Sequence, residues 1–294
     1  MKLSYLGVGA LSTPMIRNLA AAGHDLTVWN RTRAKADALD GVAVADSAAE
    51  AAASPVVISC LANDVALDAV FGDGTVFAAM PADAIHVAMS TCSPEMTTRL
   101  AKLAGEHGVT HLTAAVLGRP DFVERSAHRY LCSGPEAAMQ TVRPVLDDVS
   151  ERSFYLGEKP AAASVGKVCT NFLIASAVET MAESLALASA AGANPEAIRE
   201  MWNATLFPGA VHTGYSRQML DREFDPLFAL RLMLKDVGLF ADAADANGLD
   251  APLADSLRSR FKQAVHADLG GRDFTAISEL AWRQVDTARE EAKT

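Results

Sequence analysis

Over roughly the first 160 residues, short apolar runs alternate with helix-like stretches. "KLSYLGV" from Lys2, "DLTVWN" from Asp25, "SPVVISCLAN" from Ser54, "AIHVAMSTCSP" from Ala84 and "VTHLTAAV" from Val109 read as strands. Alanine-rich segments of helical pattern lie between them. Thr13 to Ala22 is the first helix, with Pro14 in its first turn and Gly23 at its stop. Such alternation predicts a parallel sheet with helices on both faces.

From Ala161 the texture changes. Ala161 to Ala191 carries only Lys167, Glu179 and Glu183 as charges. As one helix it would run about 45 Å, and a helix apolar nearly all round should be buried on most sides. Further helical patterns cover Pro195–Asn203, Leu227–Asn247, Pro252–Asp268 and Phe274 to the end. Strand signals are absent there. The predicted fold class is an α/β N-terminal domain with a parallel-rich sheet, residues 1–160. An all-α C-terminal domain, residues 161–294, begins with the long joining helix.

Composition narrows the classes. The chain has 294 residues, 50% hydrophobic and 21% charged, which suits a folded protein of about two domains. A formal net charge of -10 argues against broad nucleic-acid binding. Cys60, Cys92, Cys132 and Cys169 form no C-x-x-C and have no histidine at metal-ligand spacing. Reduced thiols in a cytoplasmic protein, and no metal centre, are expected. No membrane span is expected: the longest run without a charged side chain, Met201 to Ser216, is broken by Pro208, two glycines and His212. Pro14 and the paired glycines also break the apolar stretch after Lys2, so no leader is expected.

The first turn holds candidate chemistry. In "LGVGALSTPM", Gly7 and Gly9 fit a G-x-G-x-x-G fingerprint, and Ser12 stands at its third glycine. Gly7 permits a tight turn, Gly9 a close approach to a pyrophosphate, and Ser12 is small enough for helix–strand packing. Amides across Val8, Ala10 and Leu11 would meet the phosphates. The setting is right: a strand before, a helix after, and a second strand ending about 20 residues on. An ordinary strand-to-helix turn is the plain alternative. That second strand ends in Asn30, Arg31 and Thr32, where an NAD site usually has an acid. Asparagine does not repel a 2′-phosphate, arginine pairs with one, and Arg33 and Lys35 add positive charge. This favours NADP over NAD; the alternative is a solvated basic turn.

Six segments in order carry a family resemblance: "GVGALSTPMIRNLAAAGHDLTVWNRT", "SCLAND", "MSTCSP", "AAVLGRP", "VGKVCTNFL" and "LKDVGL". Nearly the whole chain resembles the β-hydroxyacid dehydrogenase family of 3-hydroxyisobutyrate dehydrogenases and glyoxylate or semialdehyde reductases. The resemblance implies an α/β N-terminal Rossmann domain and an all-α C-terminal domain joined by a long helix, an active site between them, and a homodimer or homotetramer. It places Leu61 and Ala62 against the cofactor, Thr91 near the nicotinamide ribose, and Lys235 closing over the cofactor. It makes Lys167 the proton donor and acceptor, with Asn171 orienting the substrate. Ser164, Lys167 and Asn171 share one helical face; a lysine snorkelling to the surface is the plain alternative.

The substrate loop departs from the resemblance. Where the family reads D-A-P-V-S-G-G, this chain reads "TAAVLGR", with Leu117 in place of the serine, then Gly118 and Arg119. Arg119 would reach a substrate carboxylate or point to solvent. Phe207, and less so Tyr215, are candidate apolar contacts, while His212 reads as structural. The expectation is an NADP(H)-dependent enzyme interconverting a small aldehyde or keto acid and its hydroxy acid. An imine reductase, or a non-catalytic NADP-binding protein, is the rival reading.

Overall fold

The computed structural model describes residues 1–291, and by contacts the chain divides into two compact units, Met1–Lys167 and Val168 onward. The first unit is built on eight strands: β1 Lys2–Leu6, β2 Asp25–Trp29, β3 Ala43–Val44, β4 Val56–Ser59, β5 Ile85–Ala88, β6 Thr110–Leu117, β7 Arg129–Ser133 and β8 Arg152–Tyr155. They form one sheet in the order β3-β2-β1-β4-β5-β6-β7-β8. All pairings are parallel except β6 with β7. The order reverses direction between β1 and β4, the position at which open α/β sheets bind ligands beyond their strand ends.

Eight helices connect the strands: α1 Ser12–Ala21, α2 Arg33–Asp37, α3 Ala48–Ala51, α4 Asp64–Phe71, α5 Thr75–Ala78, α6 Pro94–Glu106, α7 Pro120–Glu124 and α8 Glu136–Asp147. Strand alternation sorts them onto two faces. Leu3, Tyr5, Ile58 and Val87 pack with Met15, Ile16 and Leu19 of α1 and Val142 of α8. Leu6 and Val57 face the other way, toward Leu67 and Phe71 of α4, Phe77 of α5 and Leu100 of α6. The expected two-faced sheet is thus present. Strands β3, β7 and β8 go beyond the expected set. β3 is two residues long, and β8, at the other edge, has no fully buried residue, so neither shows the apolar run of a central strand.

Helix α9, Ala162–Ala190, has 29 residues, about 44 Å at 1.5 Å per residue. The division between units falls inside it, so its first six residues belong with the sheet. By length and composition α9 is apolar enough to cross a membrane, a span the sequence pattern did not suggest. Half of its most apolar window is buried, fewer positions than its composition implied. Leu173 and Leu187 are each 69% exposed.

In the second unit Ala175, Val178, Met181, Ala182 and Leu185 of α9 form the core. Around them lie α10 Pro195–Ala204, α11 Ala210–Asp221, α12 Leu230–Ala246, α13 Pro252–His266 and α14 Glu279–Glu291, the last preceded by a 3-10 turn at Phe274–Ser278. α11 lies outside the expected helices: Pro208 and Gly209 directly precede it and Gly214 falls within it. Among the described residues this unit has no strand, only an isolated bridge between Ala229 and Asp273.

Candidate active site

Gly7 ends β1 at φ +104°, in the region that favours glycine, and its N–H donates to the Trp29 carbonyl at 2.8 Å. A Cβ there would run into the Cys60 carbonyl and the Leu61 side chain. Gly9 differs: nothing lies within 4 Å of where its Cβ would be. Protein packing therefore leaves the space over Gly9 open. Ser12 is buried beside Tyr5 and Cys60, so it occupies the helix–strand contact where the fingerprint asks for a small residue. Burial pushes the Tyr5 hydroxyl and the Cys60 thiol up, so both remain protonated at neutral pH.

Helix α1 has Leu11 at its N-cap, so it has no side-chain cap, and there is no acid in its first turn. Val8, Gly9 and Ala10 line a groove of about 300 Å³ together with Arg17 and Lys35. An uncapped helix N-terminus beside two cations is an anion-binding arrangement. Arg17 carries no signal in the sequence, because only the fold brings its turn of α1 to the groove.

Asn30 holds the turn itself. Its Oδ1 accepts from the Val8 N–H at 2.9 Å, and its Nδ2 donates to the Thr32 carbonyl at 2.9 Å. Arg31 and Thr32 are exposed beside it. Arg33 is drawn to Asp37 and Asp46, whereas no ion pair of Arg31 is found among the described residues. At the end of β4, the Leu61 N–H donates to Ser90 Oγ at 2.8 Å, tying β4 to the end of β5. Ala62 is exposed and Thr91 half-buried at the same sheet edge. The candidates after β1, β2, β4 and β5 thus share one edge, at the switch point.

Lys167 belongs to this unit. The start of α9 is capped from the sheet: Ser133 Oγ accepts from the Ala163 N–H at 2.9 Å and donates to the Pro160 carbonyl at 2.7 Å. Thr97 of α6 shares a hydrogen bond of 2.7 Å with buried Ser164. Gly166 lies so close to Leu156 and Leu131 that a Cβ would strike Leu156. Lys167, half-buried, comes directly after it.

In the second unit, buried Asn171 donates to Asp236 Oδ2 at 2.5 Å. The Lys235 ammonium is 2.7 Å from Asp236 Oδ1. Asp236 is 1% exposed and was missed by sequence reasoning; its only signal was a carboxylate on a buried stripe of α12. Phe207 is exposed and stacks on His212 at 4.9 Å.

At the end of β6, Leu117 packs against a small cluster of Ala115, Leu131 and Ala163. Gly118 sits against His128, where a Cβ would clash. Arg119 does not point free into solvent: its Nε and Nη2 donate to Asp121 at 3.2 and 3.3 Å. The neighbouring acid two residues on was the signal overlooked.

Residues 2–157 match the NAD-binding domain of 6-phosphogluconate dehydrogenase, and residues 161–281 match the NAD-binding family of NADP-dependent 3-hydroxyisobutyrate dehydrogenase. An uncharacterised oxidoreductase of Bacillus subtilis is 35% identical over 94% of this chain and 98% of its own length. A probable 3-hydroxyisobutyrate dehydrogenase of Mycobacterium bovis is 32% identical over 94% and 96%. The solved 3-hydroxyisobutyrate dehydrogenase of Mycobacterium tuberculosis, with L-serine, superposes with a TM-score of 0.85 at 28% identity, covering 95% of this chain and 98% of that one. A reductive aminase and an imine reductase are among further structures sharing the fold. Matched over both units, the chain belongs to the β-hydroxyacid dehydrogenase family of nicotinamide-dependent oxidoreductases.

Proposed function

We propose that the protein is an NADP(H)-dependent reductase that interconverts a small aldehyde or keto acid and its hydroxy acid, with Lys167 as general acid and base. The observation that carries this reading is the seating of Lys167. The Thr97–Ser164 hydrogen bond ties the first turn of α9 to the helix just after Thr91, so the lysine rides on the unit with the dinucleotide turn.

The residues present fit a dinucleotide. The open face over Gly9 and the uncapped N-terminus of α1 suit a pyrophosphate. Asn30 leaves no carboxylate against a 2′-phosphate, and exposed Arg31 supplies a cation for it. When bound, the nicotinamide supplies or accepts the hydride. Lys167 then donates a proton to the carbonyl oxygen as negative charge develops there, and its ammonium stabilises that charge. In the oxidative direction the neutral amine takes the hydroxyl proton. Asn171 orients the substrate: with its Nδ2 committed to Asp236, the Asn171 Oδ1 is the acceptor for the substrate hydroxyl. Lys235 and Thr91 contribute to the cofactor site, and Leu117, Gly118 and Phe207 to substrate contacts. Arg119 is assigned a weaker part, because Asp121 already engages it. The reading includes a homodimer or homotetramer in the cytoplasm.

The test is oxidation of NADPH and NADH by purified protein with glyoxylate, succinic semialdehyde, other short aldehydes and keto acids, and several cyclic imines. Turnover of carbonyls is expected, and Lys167→Ala should lower it about 10²- to 10⁴-fold while NADPH still binds. Activity within a few fold of wild type removes Lys167 from the mechanism. Turnover of imines alone favours the imine reductase reading, to which the apolar Leu117 is congenial.

A further inference from the structure

A line of hydrogen bonds crosses the interior of the sheet without belonging to the dinucleotide turn. Ser59 Oγ, on β4, is 2.8 Å from His86 Nε2 on β5. His86 Nδ1 is 3.1 Å from His111 Nδ1, directly opposite on β6. His111 Nε2 is 3.3 Å from Thr113 Oγ1, which donates to the Pro160 carbonyl at 2.9 Å. All four side chains are buried. Phe71 and Phe77 hold the His86 ring, with centroids 4.6 and 5.4 Å away.

The donors and acceptors order themselves. The Thr113 proton goes to Pro160, so Thr113 accepts from His111 Nε2–H. His111 Nδ1 is then the acceptor, and His86 Nδ1–H the donor. His86 Nε2 accepts from the Ser59 hydroxyl. Every step holds with both imidazoles neutral; a proton added to His111 Nδ1 puts two N–H groups face to face, whereas one added to His86 Nε2 turns the Ser59 hydroxyl from donor to acceptor. Burial holds His86 well below the usual histidine range and His111 at about 4, which keeps both in that form.

The line ends where α9 begins. Ala161, Ala162, Ala163 and Gly166 offer little apolar surface to fix that end of the helix. We propose that the line Ser59–His86–His111–Thr113 is a positioning device, which holds the start of α9 and therefore Lys167 against the sheet. The proposal rests on the reading of Lys167 as the acid and base. Ser133, which donates to the same carbonyl, is its second anchor.

The experiment is Thr113→Val, which removes both hydrogen bonds at nearly constant volume, with Thr113→Ser as the rescue. Hydrogen exchange is measured on the peptide covering residues 160–171, and kcat is measured with succinic semialdehyde and NADPH. Exchange there should quicken at least tenfold in Thr113→Val, with residues 2–21 unchanged. kcat should fall about tenfold at unchanged NADPH affinity, and serine should restore both. Unchanged exchange overturns the proposal, as does quickened exchange with kcat intact. His111→Phe, which removes the Nε2 donor but keeps a ring, serves if the valine variant does not fold. If wild type turns over no carbonyl, the function proposed for Lys167 fails, and the exchange result still decides the anchor.

Discussion

Arg31 and Arg33 are two residues apart and differ in what is left for a ligand. Arg33 is held by Asp37 and Asp46, while Arg31 stands exposed beside Asn30. A guanidinium pairs with a dianionic phosphate and gains little from a ribose hydroxyl. Arg31→Ala should therefore raise the KM for NADPH at least tenfold and leave that for NADH within about twofold. Steady-state kinetics with both cofactors checks this, and equal losses would contradict the 2′-phosphate assignment. Sequence placed an asparagine where an acid is usual. It did not reveal that the amide bridges Val8 to Thr32, so that one side chain both omits the charge and fixes the turn.

At the scale of the element, the β1–α1 turn uses its two glycines differently. Gly7 has a left-handed φ and the Cys60 carbonyl against it; Gly9 has neither. Gly7→Ala should destabilise the apoprotein by about 1–3 kcal/mol, seen as a lower thermal midpoint. Gly9→Ala should leave that midpoint unchanged and still weaken NADPH binding at least tenfold, read by fluorescence titration. The letters G-x-G made the turn legible, and the spacing to Asn30 placed it. They did not separate the glycine the fold requires from the one over which space is left open. In α9, the apolar stretch gave away the helix to within a residue at each end. Which residues bury it was not legible, because its partners are α12 and α13, over 40 residues downstream.

For the whole molecule, a buried histidine contributes to the response to acid. His128 is fully buried, neither ring nitrogen has a hydrogen-bond partner among the described residues, and burial lowers it to about 4. The native state keeps this ring neutral down to that pH, while the unfolded chain protonates it near the usual 6.5. Between the two the unfolded state binds more protons, so the contribution is whole above pH 6.5 and is lost as pH falls toward 4. From pH 7 to pH 5 one such group removes about 2 kcal/mol. His128→Leu should shrink the fall in urea stability over that interval by about this amount. An unchanged pH dependence would show that the ring is hydrated or paired in solution.

Periodicity by itself determined the class of each half, a two-faced parallel sheet and then helices, because burial on one or both sides writes itself into the spacing of apolar residues. Local spacing also determined the dinucleotide turn, whose parts lie within about 25 residues of one another. Tertiary structure alone decided the rest. β3 and β8 lack the apolar run that announces a central strand. The grip of Asp236 on Asn171 and the histidine line to Pro160 depend on where side chains point. Hydrogen bonds between residues 25 to 65 positions apart leave no period in a sequence, since their strength depends on distance and angle and not on order along the chain.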